Sequence, residues 1–254
     1  MSTLHANRPH LALIHGWGLG SLAWQPLLER LSEGYRLHLV DLPGYGQAAA
    51  SDDDFTATAQ ALVDALPAGV MLCGWSLGAL LAMRAALLAP ERVGGLLLVG
   101  ATPCFMQRAD WPSAQAPAVL DSFAASVRSK PEQTLQRFAA LLSVGDETAR
   151  ASSRALLAGL RNSQTPDAAT LCRGLDWLRE VDLRSQASAI SCPTVLIHGE
   201  NDSLNPLAAA QYLSKELPNA RLEVFAGAGH APFLADPERF VGVLDNFCHA
   251  PATR

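Results

Sequence analysis

The sequence predicts an α/β fold: a mostly parallel sheet flanked by helices and interrupted by one all-helical insertion. Three observations carry that reading. Short apolar runs bounded by Gly, Pro or Asp recur at LALIHG from Leu11, YRLHLVDLPG from Tyr35, VMLCGW from Val70, LLLVGA from Leu96, TVLIHGE from Thr194 and RLEVF from Arg221, the pattern of buried strands. Between several of them lie stretches with helical spacing, such as SLAWQPLLERLSE from Ser21 and SLGALLAMRAALLAP from Ser76, the second stopped by Pro90. Strands alternating with helices make a parallel sheet covered on both faces. Third, the rhythm breaks between Cys104 and Ala187, where PAVLDSFAASVRSK, PEQTLQRFAALLSVG, DETARASSRALLAGLRN and DAATLCRGLDWLREVDLR all read as helices and no strand intervenes. The strand pattern resumes at Cys192. Residues 104–187 are therefore expected to form a helical lid, and residues 1–103 and 188–254 one core.

Composition narrows the function classes. The chain has 254 residues, 49% hydrophobic and 17% charged, which suits a single globular core. It lacks the charge-free apolar run of about 18 residues that a membrane helix needs. A formal charge of −5 argues against a general nucleic-acid binder, since phosphates must be met by surplus Lys and Arg. The five cysteines (Cys73, Cys104, Cys172, Cys192 and Cys248) include no C-x-x-C pair, so neither a disulfide framework nor a cysteine zinc site is suggested. The opening MSTLHANRPH contains no apolar export segment, so a cytoplasmic monomer without membrane or nucleic-acid partners is expected. Charge is unevenly placed. From Cys104 to Ala187 ten Lys and Arg face nine Asp and Glu, while the rest of the chain has nine against fifteen. Between Val127 and Arg161 six cations (Arg128, Lys130, Arg137, Arg150, Arg154 and Arg161) meet only Glu132, Asp146 and Glu147. The expected lid is the basic part.

The most specific chemical signal is Gly74-Trp75-Ser76-Leu77-Gly78, a G-x-S-x-G between a strand and a helix. The two glycines remove side chains where strand and helix meet, and the turn pushes the Ser76 hydroxyl into the open. The Leu77 N–H, unpaired at the start of the helix, points where negative charge would develop on an attacked carbonyl oxygen. A serine nucleophile needs a base and an acid to orient it. Among seven histidines, His5 and His10 precede the first strand, His38 and His198 lie within strands, and His249 is close to the end. His230 stands in the loop AGAGHAPF directly after RLEVF, where Gly227 and Gly229 leave the backbone free to present the ring at the carboxyl end of the sheet. The acid should come from another loop on that edge. Asp202 in GENDSLNP is placed for this, with Glu200 as the fallback. A second oxyanion donor is expected from His15-Gly16-Trp17-Gly18 after LALI, through the Trp17 N–H, with His15 shaping the loop.

With HG-x-G, G-x-S-x-G, a strand-end Asp and a late G-x-x-H in this order, the chain resembles an α/β-hydrolase with a helical lid. The strings HGWGLG, LHLVDLPGYG, GWSLGALLA, PERV and HAPF, with PCF-x-x-x-x-x-WP, QRF and G-x-ETAR-x-x-x-RAL in the lid, resemble more closely the methyl ester esterases that act on pimeloyl-acyl carrier protein in biotin synthesis. The resemblance implies Ser76 as nucleophile, Asp202 as orienting acid and His230 as base, with oxyanion contacts from Trp17 and Leu77. It implies an acyl channel lined by Phe138, Ala139, Ala140, Leu141 and Leu142, and docking of the acidic carrier protein by Arg137, Arg150 and Arg154, with Gln133 where the family has a further arginine. No metal or cofactor is implied. General short-chain ester hydrolysis, carbon–carbon bond hydrolysis or lysis on the same fold, and a non-catalytic ligand receptor are the alternatives.

Overall fold

A computed structural model describes residues 8–249, so His5 and the outermost residues of the two core segments lie outside the described residues. Each of the six apolar runs is a strand: β1 (His10–Ile14), β2 (Arg36–Val40), β3 (Val70–Trp75), β4 (Val93–Val99), β5 (Thr194–Gly199) and β6 (Ala220–Phe225). They form one sheet in the order β2-β1-β3-β4-β5-β6, and every pairing is parallel.

Strand alternation builds two cores, one on each face of the sheet. Ala12, Ile14, Leu72, Leu96, Leu98 and Leu196 pack on one face with α2 (Phe55–Asp64) and α3 (Leu77–Leu88). Leu11, Leu13, Cys73, Leu97, Val99 and Ile197 pack on the other with α1 (Gln25–Gly34) and α10 (Pro237–Cys248). The helix α3 is apolar on nearly every side because the sheet and its neighbours enclose it. It ends at Leu88 because Ala89, preceding Pro90, is driven out of the helical region to φ −139°.

The strand order changes direction between β1 and β3. From β1 the chain moves outward to β2, then returns past β1 to β3 and continues the other way. Ile14 and Gly74 are register partners, so the loops leaving β1 and β3 open side by side at the carboxyl edge, where such sheets form a crevice.

Between β4 and β5 the chain is helical: α4 (Pro117–Ser129), α5 (Pro131–Leu141), α6 (Ala149–Asn162) and α7 (Ala168–Glu180). Three of the four expected helices are well short of their patterns: α7 stops at Glu180, where Val181 turns to extended backbone (φ −71°, ψ 125°), and α5 and α6 give way to a loop between them. Gly145 adopts φ 83°, and the buried Asp146 carboxylate accepts the Thr148 N–H at 2.7 Å and the Thr148 and Ser152 hydroxyls at 2.8 Å. These bonds satisfy groups that a continuing helix would leave unpaired, so residues 142–148 form a loop. The remaining helices, α8 (Leu207–Glu216) and the short α9 (Pro232–Ala235), follow β5 and β6. Among the described residues no helix is long and apolar enough to cross a membrane.

Candidate active site

Ser76 sits at the β3–α3 junction with φ 56° and ψ −113°, the one non-glycine residue with positive φ among the described residues. Such a conformation costs about 1–3 kcal/mol and persists only where the surroundings enforce it. Here they do. A Cβ on Gly74 would overlap the Gly78 carbonyl, and one on Gly78 would overlap the Ile14 carbonyl of β1. The Ser76 N–H extends the sheet ladder to Val99 O at 2.9 Å, and Ser76 O accepts the Ala79 N–H at 2.9 Å.

The other two side chains come from the loops after β5 and β6. His230 Nδ1–H donates to Asp202 Oδ2 at 2.7 Å, and both side chains are almost wholly buried. Asp202 Oδ1 accepts the Leu204 N–H at 2.9 Å and the Asn205 N–H at 2.8 Å, so each oxygen has a fixed task. His230 is held at both backbone ends: its N–H donates to Leu142 O at 3.1 Å, and its carbonyl accepts Trp75 Nε1–H at 2.8 Å. Its Nε2 is buried and has no hydrogen-bond partner, and no hydrogen bond joins it to Ser76 in this arrangement. Glu200, the alternative acid, faces elsewhere and accepts the Gly227 N–H at 3.2 Å.

The remaining histidines in this region are neutral by environment. His15 is fully buried; its Nδ1–H donates to Gly16 O at 2.7 Å and its Nε2 accepts the Leu42 N–H at 3.1 Å. Burial drives its pKa down to about 4 against the pull of the Gly16 carbonyl and Asp41. His198 differs from the fully satisfied core histidine that its strand position suggests. Its Nε2–H donates to Asn205 O at 2.7 Å, while its Nδ1 is unpartnered. Burial lowers its pKa as well.

Two backbone donors flank Ser76. Among the described residues the N–H groups of Trp17 and Leu77 make no hydrogen bond. The Trp17 side chain is anchored in the insertion: Nε1–H donates to Leu171 O at 2.8 Å, and the ring packs edge-on against Phe123 and Phe138. Ser76 and Trp17 open onto a cavity of about 240 Å³ whose wall is mostly Phe and Leu side chains of the insertion. Phe138, Leu141 and Leu142 line it; Ala139 and Ala140 do not. The expected five-residue lining is corrected by helical geometry, because successive residues on α5 point about 100° apart. Ala139 turns into the packing beneath, and Ala140 faces the outer groove between α5 and α6.

The model of the alpha/beta hydrolase family matches residues 11–243. The chain belongs to that family. A pimeloyl-[acyl-carrier protein] methyl ester esterase of Nitrosomonas europaea is 42% identical to this hydrolase over 96% of its chain and 99% of the relative. The protein of the same name from Aromatoleum aromaticum is 42% identical over 91% and 95%. Among solved structures, an esterase from Exiguobacterium antarcticum superposes with TM-score 0.86 at 26% identity, covering 95% of this chain and 91% of that one. A bromoperoxidase from Bacillus anthracis, at 20% identity and TM-score 0.85, covers 95% and 92% and shares the fold.

Several residues that support the hydrolase site carry no motif. Gly100 (φ 53°) lies flat against the His230 ring, where a Cβ would stand 3.0 Å from Cε1. Asn205 Nδ2–H donates to Gly100 O at 2.7 Å, tying the loops after β4 and β5 together. A glycine closing an apolar strand, as in LLLVG, was the available signal for the first; none marked the second. Arg137, Arg150 and Arg154 are exposed on α5 and α6, away from the cavity wall. Among the described residues no group of three or more His, Cys, Asp or Glu could hold a metal ion.

Proposed function

We propose that this hydrolase is a serine carboxylesterase that cleaves the methyl ester of a pimeloyl chain carried by acyl carrier protein, in biotin synthesis, and accepts short-chain esters as well. The carrying observation is the junction of polar and apolar parts: Ser76 lines an apolar cavity, and Trp75, the residue before it, donates a hydrogen bond to the carbonyl of His230, whose buried ring is held by Asp202. The names of the relatives at 42% identity supply the substrate class.

On this reading Ser76 Oγ attacks the ester carbonyl while His230 Nε2 takes its proton, and Asp202 holds the ring with Nε2 free to do so. The Trp17 and Leu77 N–H groups stabilise the oxyanion; one such donor is typically worth about 10²- to 10³-fold in rate. Collapse of the intermediate expels methanol, protonated by His230, and water then releases the acyl chain by the same steps. An apolar wall gains roughly 0.8 kcal/mol per buried methylene, which suits an aliphatic spacer. It also disfavours the product, because an ionised carboxylate left in the cavity lacks solvation. The reaction is thereby drawn toward release of the acid.

The helical insertion serves as the lid, and its cations Arg137, Arg150 and Arg154 receive the acidic carrier. The enzyme then works in the cytoplasm as a monomer, with no metal or cofactor. The direct test is Ser76→Ala assayed on p-nitrophenyl butyrate and on the carrier-linked methyl ester, with thermal melting as a fold control. Loss of both activities at unchanged melting is expected; turnover at the wild-type level would overturn the mechanism.

A further inference from the structure

Two grooves run along the outer side of α6. One, of about 470 Å³, is lined by Arg150, Arg154, Leu157 and Arg161 among others. The second, of about 610 Å³ between α5 and α6, is lined by Gln133, Arg137, Leu157 and Arg161 among others. Leu157 and Arg161 belong to both, so they form the ridge between the grooves. The spacing from Arg150 through Arg154 and Leu157 to Arg161 alternates four, three and four residues, which keeps all four side chains on one face of the helix.

This face gathers four arginines. Arg137, Arg150, Arg154 and Arg161 are exposed, and none makes an ion pair or hydrogen bond among the described residues. Elsewhere, Arg173, Arg179 and Arg184 each meet a carboxylate at 2.6 or 2.7 Å. Only Glu132 contributes a carboxylate to either groove. The surface also leads toward the site: Arg137 lies one turn before Leu141, a residue that lines the catalytic cavity and is 56% exposed at its edge. Without Arg161 the cation on α5 and the pair at the start of α6 are separate patches. With it they form one continuous strip.

We propose that Arg161 is a docking residue for the acidic carrier, joining Arg137 to Arg150 and Arg154, with Leu157 as the apolar contact at the centre of the strip. This rests on the carrier-linked reading above. Charge complementarity selects the occupant: an acidic protein approaching a chain of net charge −5 is repelled by the whole and attracted by this strip. A small ester entering the cavity never touches it.

The experiment compares kcat/KM of Arg161→Glu, Arg161→Lys, Arg150→Glu and Arg154→Glu on the carrier-linked methyl ester and on p-nitrophenyl butyrate, at low and high salt. Arg161→Glu should lower carrier-linked kcat/KM on the order of tenfold at low salt, mostly through KM, with a smaller effect at high salt. Arg161→Lys should retain most of it, and the small ester should change by less than about twofold. If Arg150→Glu and Arg154→Glu impair the carrier substrate while Arg161→Glu does not, the role of Arg161 is refuted and the carrier reading stands. Equal loss on both substrates also refutes it. If the carrier-linked ester is not hydrolysed by the wild type, the underlying reading fails, and this inference with it.

Discussion

Replacing Asp202 with Asn separates the geometry of the site from its chemistry. The two backbone donors on Oδ1, Leu204 N–H at 2.9 Å and Asn205 N–H at 2.8 Å, dictate how the new amide must lie. Its oxygen stays with those donors, because presenting the NH₂ to them would leave two buried N–H groups unpaired at about 1–3 kcal/mol each. The NH₂ then faces His230 Nδ1, where the carboxylate accepted a hydrogen bond at 2.7 Å. A donor there forces the ring into the tautomer with its proton on Nε2, the atom that accepts the Ser76 proton in the proposed mechanism. The expected consequence is a fall in kcat of about 10⁴-fold, the scale of a wrongly protonated triad histidine, or about 5.5 kcal/mol. Volume and hydrogen-bond count are nearly conserved, so the melting temperature should move little. Stopped-assay turnover of p-nitrophenyl butyrate, paired with labelling by a serine-reactive phosphonate, measures the effect. An Asn variant within tenfold of wild type would falsify the assignment of Asp202 as the group that sets the His230 tautomer.

Two further outcomes test the surroundings. His15 has its pKa lowered from 6.5 to about 4 by burial, so between these values the unfolded chain binds a proton that the folded chain does not. Its contribution to stability is full above pH 6.5 and is lost as pH falls toward 4, by about 3 kcal/mol in all. Urea unfolding across that range should show the decline, and a flat profile would contradict the buried neutral ring. Gly174→Ala would place a Cβ 2.6 Å from Trp17 Cδ1, and the Trp17 ring is backed by Phe123 and Phe138. The clash should cost about 1–3 kcal/mol in stability and, by shifting the Trp17 backbone donor, lower kcat more than it changes KM; unaltered kcat would separate the ring from the oxyanion loop.

What could be read from the sequence followed physical distance along the chain. All six strands were legible because each is a short apolar run stopped by a turn residue; the central four are buried, while the edge strands β2 and β6 are only partly so. Ser76 was legible because its signature is local: Gly74 and Gly78 lie within two residues, although the Ile14 and His15 carbonyls and the Val99 acceptor that also hold the turn come from elsewhere. The approach of Asp202 to His230 could be inferred only from both following strands on one edge. The preference for Asp202 over Glu200 came from its place in the loop after β5, and the loop's hydrogen bonds agree: Asp202 accepts from His230 and Glu200 from the Gly227 N–H. Gly100, Asn205 and the Leu171 carbonyl act through contacts spanning 105 or 154 residues, or against a ring from another loop, and apart from the strand-closing position of Gly100 nothing local distinguishes them. The helix pattern failed at 142–148 for a similar reason. The apolar spacing continues through Leu142, but Glu147 N–H finds its acceptor in Gly227 O at 2.9 Å.

That loop changes how labour is divided in the molecule. The sheet core by itself holds Ser76, through the β1 carbonyls and the two glycines. The base and the acid depend on the insertion as well. His230 N–H is bound by Leu142 O, Gly227 O by Glu147 N–H, and Gly145 O by Asn201 Nδ2–H at 2.8 Å, one residue before the acid. The Trp17 ring likewise hangs from Leu171 on α7. Three of the elements that the proposed mechanism brings to the ester are thus braced by the insertion that also forms the cavity wall. A misplacement of about 1 Å in such a group can cost on the order of 10²-fold in rate. Under the proposed mechanism, the segment between α5 and α6 belongs to the catalytic frame, and residues such as Asp146, which touch neither Ser76 nor the cavity, act on the chemistry through it.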